Sequence, residues 1–173
     1  MELFADILKM LLPATLVLIG VYITVRTLIV KQLERDLINI RSSSEQTTLP
    51  LRLQAYERLS LFLERINPTS LVLRANNPEF NVLELKLQLL NIIGEELNHN
   101  LSQQIYVSEE LWAIVKASRD NVLTLIETAA ENLEPQAPSM ALIEQIFGIM
   151  VQSGQDPTAM GLNAIRAEAK QLL

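Results

Sequence analysis

The chain has 173 residues, 49% of them hydrophobic, with 20 acidic and 14 basic side chains and a net charge of −6. It contains no cysteine and one histidine, which excludes a disulfide framework, a thiol nucleophile and a multi-histidine zinc site within one chain. The acidic balance also argues against a nucleic-acid partner, whose binding proteins present a basic face to phosphate.

The first element is the apolar stretch from Met10 to Val25, whose only polar side-chain atoms are the hydroxyls of Thr15, Tyr22 and Thr24. If Arg26 extends its guanidinium toward the headgroups, the span continues to Val30 and reaches roughly 21 residues, about what a helix needs to cross ~30 Å of hydrocarbon. A signal peptide would open with basic residues and end in small ones, whereas here Glu2 and Asp6 come first and Gly20-Val21-Tyr22-Ile23 is bulky. A soluble core helix would be apolar on one face only. Residues 1–30 therefore read as a transmembrane anchor, held in a lipid bilayer through residues 10–30, with a modest kink expected at Pro13. Arg26, Lys31, Arg35 and Arg41 follow the span and only Lys9 precedes it, so the amino terminus is expected outside and the rest in the cytoplasm.

Residues 31–48 read as a juxtamembrane helix and linker. Leu33, Leu37, Ile38 and Ile40 share one face, and the polar run from Arg41 to Thr48, with Ser42-Ser43-Ser44, is expected to interrupt the helix ahead of Pro50. Residues 49–173 read as one helical domain. In its first helix, Leu51 to Ile66, the residues Ala55, Tyr56, Leu59, Phe62, Leu63 and Ile66 fall in one arc at 100° per residue. Leu53 and Leu61 fall on the polar side, which implies burial against a second surface.

Asn67-Pro68 ends that helix, and Pro68 can open a short one through Leu73. A long helix follows from near Asn81 to about Asn100, with Leu83, Leu87, Leu90 and Leu97 along one line and Leu85, Leu89, Ile92 and Ile93 beside it. Ser108 is placed to cap the next helix, on which Leu111, Val115, Val122 and Ile126 form a buried stripe and Trp112 stands at its edge. Glu134 to Pro138 breaks the chain; Ser139 is expected to cap a helix closed by Gly154, and Asp156-Pro157 to open the last one. The expected fold class is all-α: an N-terminal transmembrane helix followed by a compact cytoplasmic helical bundle.

Charge is uneven along this order. Residues 26–74 carry eight basic and five acidic side chains, and residues 75–173 carry five basic and thirteen acidic ones. A basic membrane-proximal segment beneath an acidic distal part suits an anionic leaflet, and it equally reflects topology alone.

Catalytic signals are sparse. GxGxxG, GxxxxGK[ST] and GxSxG motifs are absent from the sequence, and no small-molecule substrate or cofactor is implied. The sharpest constellation is Glu96-x-x-His99, because i,i+3 spacing puts carboxylate and imidazole on one helix face; di-iron bundles use that spacing but need a second copy of it, which this chain lacks.

The run Thr47-Thr48-Leu49-Pro50-Leu51-Arg52-Leu53-Gln54-Ala55-Tyr56-Glu57-Arg58-Leu59, the segment His99 to Ser108 and Trp112 resemble a family of small single-pass membrane proteins of Bacteroidetes with no assigned function. The resemblance covers nearly the whole chain and implies an inner-membrane anchor with a helical cytoplasmic domain, but no activity or ligand. The expected function is a non-enzymatic interaction or scaffold module with a protein partner or a second copy. Its contact residues are expected to be Arg52, Leu53, Tyr56, Arg58, Leu61, Arg65 and Trp112. The alternatives are a metal-dependent enzyme assembled across subunits around Glu96 and His99, and a lipid-binding envelope-maintenance protein.

Overall fold

The computed structural model describes the backbone of residues 2–75 and 77–172, and the side chains of residues 15–32, 35, 48–75 and 77–172. Every element in these residues is helical: α1 (Glu2–Ile66), α2 (Pro68–Ala75), α3 (Val82–Asn100), a 3-10 turn (Leu101–Ile105), α4 (Glu109–Ala130), α5 (Ser139–Ser153) and α6 (Ala159–Lys170). The chain divides into two units, Met1–Thr48 and Leu49–Leu173.

In the first unit, the segment Thr15–Gln32 is long and apolar enough to cross a membrane by length and composition, and none of it is buried. Two of its hydroxyls bond back to the helix: Thr24 Oγ1 donates to the Gly20 carbonyl and Thr27 Oγ1 to that of Ile23, each at 2.8 Å. That pattern supplies a partner without water. The Pro13 ring and the face of Leu33, Leu37, Ile38 and Ile40 lie outside the described side chains.

The break expected between Arg41 and Thr48 does not occur, because α1 is helical through it. Ser, Thr and Gln each cost a helix interior only a few tenths of a kcal/mol, roughly, and the run holds no glycine or proline to stop propagation. Pro50 consequently lies inside α1 rather than in a first turn.

The second unit is a helical bundle. The end of α1 buries Ala55, Tyr56, Leu59, Phe62, Leu63 and Ile66, as its periodicity predicts. α3 packs on α4 and α5, and α4 packs on α6. The chain before α3 is tied to the chain before α5 by an isolated bridge, Asn81 to Pro138, with Val82 N–H donating to Ala137 O at 2.9 Å and Ser139 N–H to Phe80 O at 3.0 Å. Asn81 caps α3 reciprocally with Glu84, and Ser108 caps α4. Gly154 ends α5 in the left-handed region at φ 62°, which glycine adopts without a Cβ penalty.

Two helix starts differ from expectation. Pro138, not Ser139, precedes the first turn of α5: Ser139 is itself in that turn, where its amide has no intrahelical acceptor and donates to Phe80 O. α6 begins two residues later than Asp156-Pro157 predicts: the Asp156 carboxylate accepts instead from the Thr158 amide at 2.8 Å and hydroxyl at 2.7 Å. Asn67 Nδ2 reaches the same pair, at 3.0 Å from Asp156 and 3.2 Å from Thr158, so this turn is fastened to the α1–α2 corner.

Gly161 of α6 lies close against its neighbours. A Cβ there would stand 2.6 Å from Leu63 Cδ1 and 2.7 Å from Ser118 Oγ. Ser118 is fully buried, and its hydroxyl has no hydrogen-bond partner.

Candidate functional site

Periodicity turns two polar rows of α1 toward different neighbours, and each row ends at one buried or half-buried carboxylate. The first is Glu168 on α6. Its Oε1 accepts from the Tyr56 hydroxyl at 3.0 Å and the Ser108 amide at 3.1 Å, and Ser108 Oγ donates to Oε2. Arg52 completes the group: it lies 3.6 Å from Glu168, donates to Tyr56 at 3.0 Å and reaches the Tyr106 carbonyl at 3.2 Å. Burial pushes the Glu168 carboxyl up, but the Ser108 hydroxyl and amide, the Tyr56 hydroxyl and the Arg52 charge outweigh it and hold the group below its ordinary value. Burial, aided by Glu168, raises the Tyr56 hydroxyl against the opposing pull of Arg52. The cluster joins α1, the cap of α4 and α6, and both Glu168 oxygens and the Tyr56 hydroxyl find partners within it.

The second carboxylate, Glu96 of α3, stands in an open cleft of about 350 Å³ between α1 and α3. Arg65 Nε lies 2.9 Å from Glu96 Oε1 and Arg74 Nη1 3.3 Å from the same oxygen. Arg74 also donates to the Arg65 carbonyl at 2.6 Å, and Asn100 Nδ2 to the Glu96 carbonyl at 2.8 Å. Arg58, Leu61 and His99 also line the cleft, together with Gln54, Glu57 and Phe62. Leu61 is 54% exposed, and Arg58 makes no ion pair or hydrogen bond among the described residues.

The seven expected contact residues are therefore dispersed. Arg58, Leu61 and Arg65 share the cleft, with Arg65 bound to Glu96. Arg52 and Tyr56 belong to the Glu168 cluster. Leu53 packs half-buried against the core, and Trp112, 9% exposed, belongs to the core itself. The neighbouring helices of the bundle cover Trp112 almost fully and Leu53 in part. Glu96 and His99 do line one cleft, but a cation there would have to displace two guanidinium groups from Glu96. Among the described residues no cluster of three or more His, Asp or Glu side chains could hold a metal ion.

Sequence reasoning missed Glu168 and Asn100. Glu168 is 112 residues from Tyr56, and no local signal connects them; Asn100 reads as a helix end, which it is.

The family model for DUF7935, a family of unknown function, matches residues 2–172. No curated protein and no solved structure matches the chain. Covered almost from end to end by that model, the chain belongs to the family of unknown function DUF7935.

Proposed function

We propose that this protein is a non-enzymatic helical interaction module anchored in a bacterial inner membrane, with its amino terminus outside, its helical domain in the cytoplasm, and the Arg58–Leu61–Arg65 face engaging a protein partner. The carrying observation is the segment Thr15–Gln32, membrane-spanning in length and composition and wholly unburied. Apolar surface left in water costs about 25 cal/mol per Å², and lipid removes that cost. The hydroxyls of Thr24 and Thr27, bonded back to the helix, suit the same solvent, which offers polar groups no partner. Arg26 and Lys31 in the distal half of that segment, and Arg35 after it, support the orientation.

For the partner face, support comes from the contrast between the two polar clusters. The Glu168 carboxylate is saturated by partners within its cluster, whereas the cleft holds, beside Glu57, a guanidinium unengaged among the described residues and an exposed leucine. A partner gains there a charge-assisted hydrogen bond beside an apolar contact. The test is alkaline carbonate extraction of native membranes combined with crosslinked pull-down of the full chain and its Leu61→Glu and Arg58→Glu variants. Retention in the pellet and a stoichiometric partner lost in both variants are expected. Wild-type protein released by carbonate would overturn the anchor, and complexes unchanged by both substitutions would overturn the face.

A further inference from the structure

α3 carries two apolar lines and the fold buries only one. Leu85, Leu89 and Ile93 are fully enclosed by the core. The second line, about a third of a turn round the helix at 100° per residue, consists of Leu83, Leu87, Leu90, Gly94, Leu97 and, at the start of the 3-10 turn, Leu101. Its spacing is 4-3-4-3-4, the repeat of a seam between two helices. Leu83, Leu87 and Leu101 are 43%, 57% and 40% exposed, and Leu90 and Leu97 are half-buried, packed on one side against the chain's own core.

Gly94 has no role inside the chain. A Cβ built on it meets nothing within 4 Å, so the fold gains no close packing from a residue that costs a helix interior about 1 kcal/mol relative to alanine. It leaves a gap in the centre of an outward-facing leucine seam.

We propose that α3 pairs antiparallel with α3 of a second copy of this chain through this seam. The 4-3-4-3-4 pattern reads the same in both directions about residue 92. Antiparallel pairing therefore sets Leu83 against the partner's Leu101, Leu87 against the partner's Leu97, and Leu90 over the partner's Gly94, twice. Each gap receives a leucine. Parallel pairing would set glycine on glycine and leave the central layer empty, which the packing density of protein interfaces disfavours. On the exposed flank Asn91 faces its own copy across the axis, so no like charges are brought together there.

The contact is small. A 19-residue helix is about 28 Å long and about 10 Å wide, giving roughly 300 Å² per partner, where a standard interface uses about 800 Å². Such a pair is weak in dilute solution and becomes populated when both copies are held in one membrane at an effective concentration near millimolar, roughly. In that respect alone the inference rests on the anchored reading.

The chain has no cysteine, so single introduced thiols report the geometry. Leu87→Cys and Leu97→Cys chains with different tags are coexpressed in native membranes and treated with a thiol crosslinker shorter than the ~15 Å that separates identical positions in the antiparallel pair. Mixed crosslinks are expected to form at least tenfold faster than those of either variant alone, and Gly94→Phe, which fills the gap, to lower them about tenfold. Same-site crosslinks as fast as mixed ones, or insensitivity to Gly94→Phe in a folded protein, would overturn the pairing. Carbonate extraction of the same membranes reports the anchor separately. If the protein is extracted, crosslinking of the purified full chain at millimolar concentration decides the pairing on its own.

Discussion

Substituting Gly161 by alanine tests a close contact of α6 with Leu63 and Ser118. Alanine's helix propensity favours the variant by about 1 kcal/mol. Against that, its methyl carbon would stand 2.6 Å from Leu63 Cδ1, 2.7 Å from Ser118 Oγ and 3.2 Å from Ser118 Cβ, and both neighbours are fully buried. Overpacking of this kind costs about 1–3 kcal/mol, so a net loss of about 1 kcal/mol is expected. Ser118→Ala removes one clashing atom and, with it, a buried hydroxyl that lacks a partner; that change alone should be neutral or stabilise by about 1 kcal/mol. The double variant should recover part of the loss, with a coupling of about 0.5–1 kcal/mol. Urea unfolding of the four proteins in detergent, followed by the fluorescence of the sole tryptophan, Trp112, which is buried in α4 one to two turns from Ser118, measures the cycle. A stabilising Gly161→Ala with no coupling to Ser118 would refute the close approach.

Further outcomes follow from the two carboxylates and the cleft. The folded Glu168 group sits below its ordinary value, so the stability it contributes is complete above its unfolded pKa and disappears as pH falls through the folded one. Glu168→Gln should lower stability at neutral pH and flatten the acid limb of a stability-against-pH curve; an unchanged limb would count against the cluster. Tyr56, raised in the folded state, contributes stability that is present below its unfolded pKa and lost as alkaline pH rises through the folded one, and Tyr56→Phe should remove that loss. Glu96→Gln, which weakens the bonds from Arg65 and Arg74, should cost about 1–2 kcal/mol in thermal or urea unfolding, kept low by the partial exposure of both arginines. Leu61→Glu should leave the unfolding midpoint nearly unchanged because Leu61 is exposed; a large drop would place it in the core.

What was legible in the sequence was local. Ser108 and Gly154 announce their helix ends because a cap is made by the residue itself and its immediate neighbours. The buried face of the last turns of α1 follows from spacing alone. Boundaries decided at a distance were not legible: Ser139 stands in the first turn of α5 rather than before it, and the acceptor of its amide there, Phe80 O, lies ahead of α3 in the chain. Likewise, nothing in the order of α3 shows that Leu85 and Leu89 go inward while Leu83 and Leu87 stay out, because both lines are equally apolar. Of the contact residues, Arg58 and Leu61 lie exposed on the polar side of α1, whereas Arg52 and Tyr56 are claimed by a carboxylate in the final helix, to which no local pattern points.

That separation bears on how the chain is made. The Tyr56 hydroxyl is bonded to a group synthesised 112 residues later, which at about 5–20 residues per second is a delay of roughly 6–22 s. Throughout it, α1 can form its own turns but not its tertiary contacts with α6, and Ser108 can cap α4 without yet being tied to anything else. The bundle therefore closes late in translation, around one carboxylate, and a ribosome that stalls between α5 and α6 leaves the tyrosine face of α1 open to whatever chaperone or neighbouring chain reaches it first.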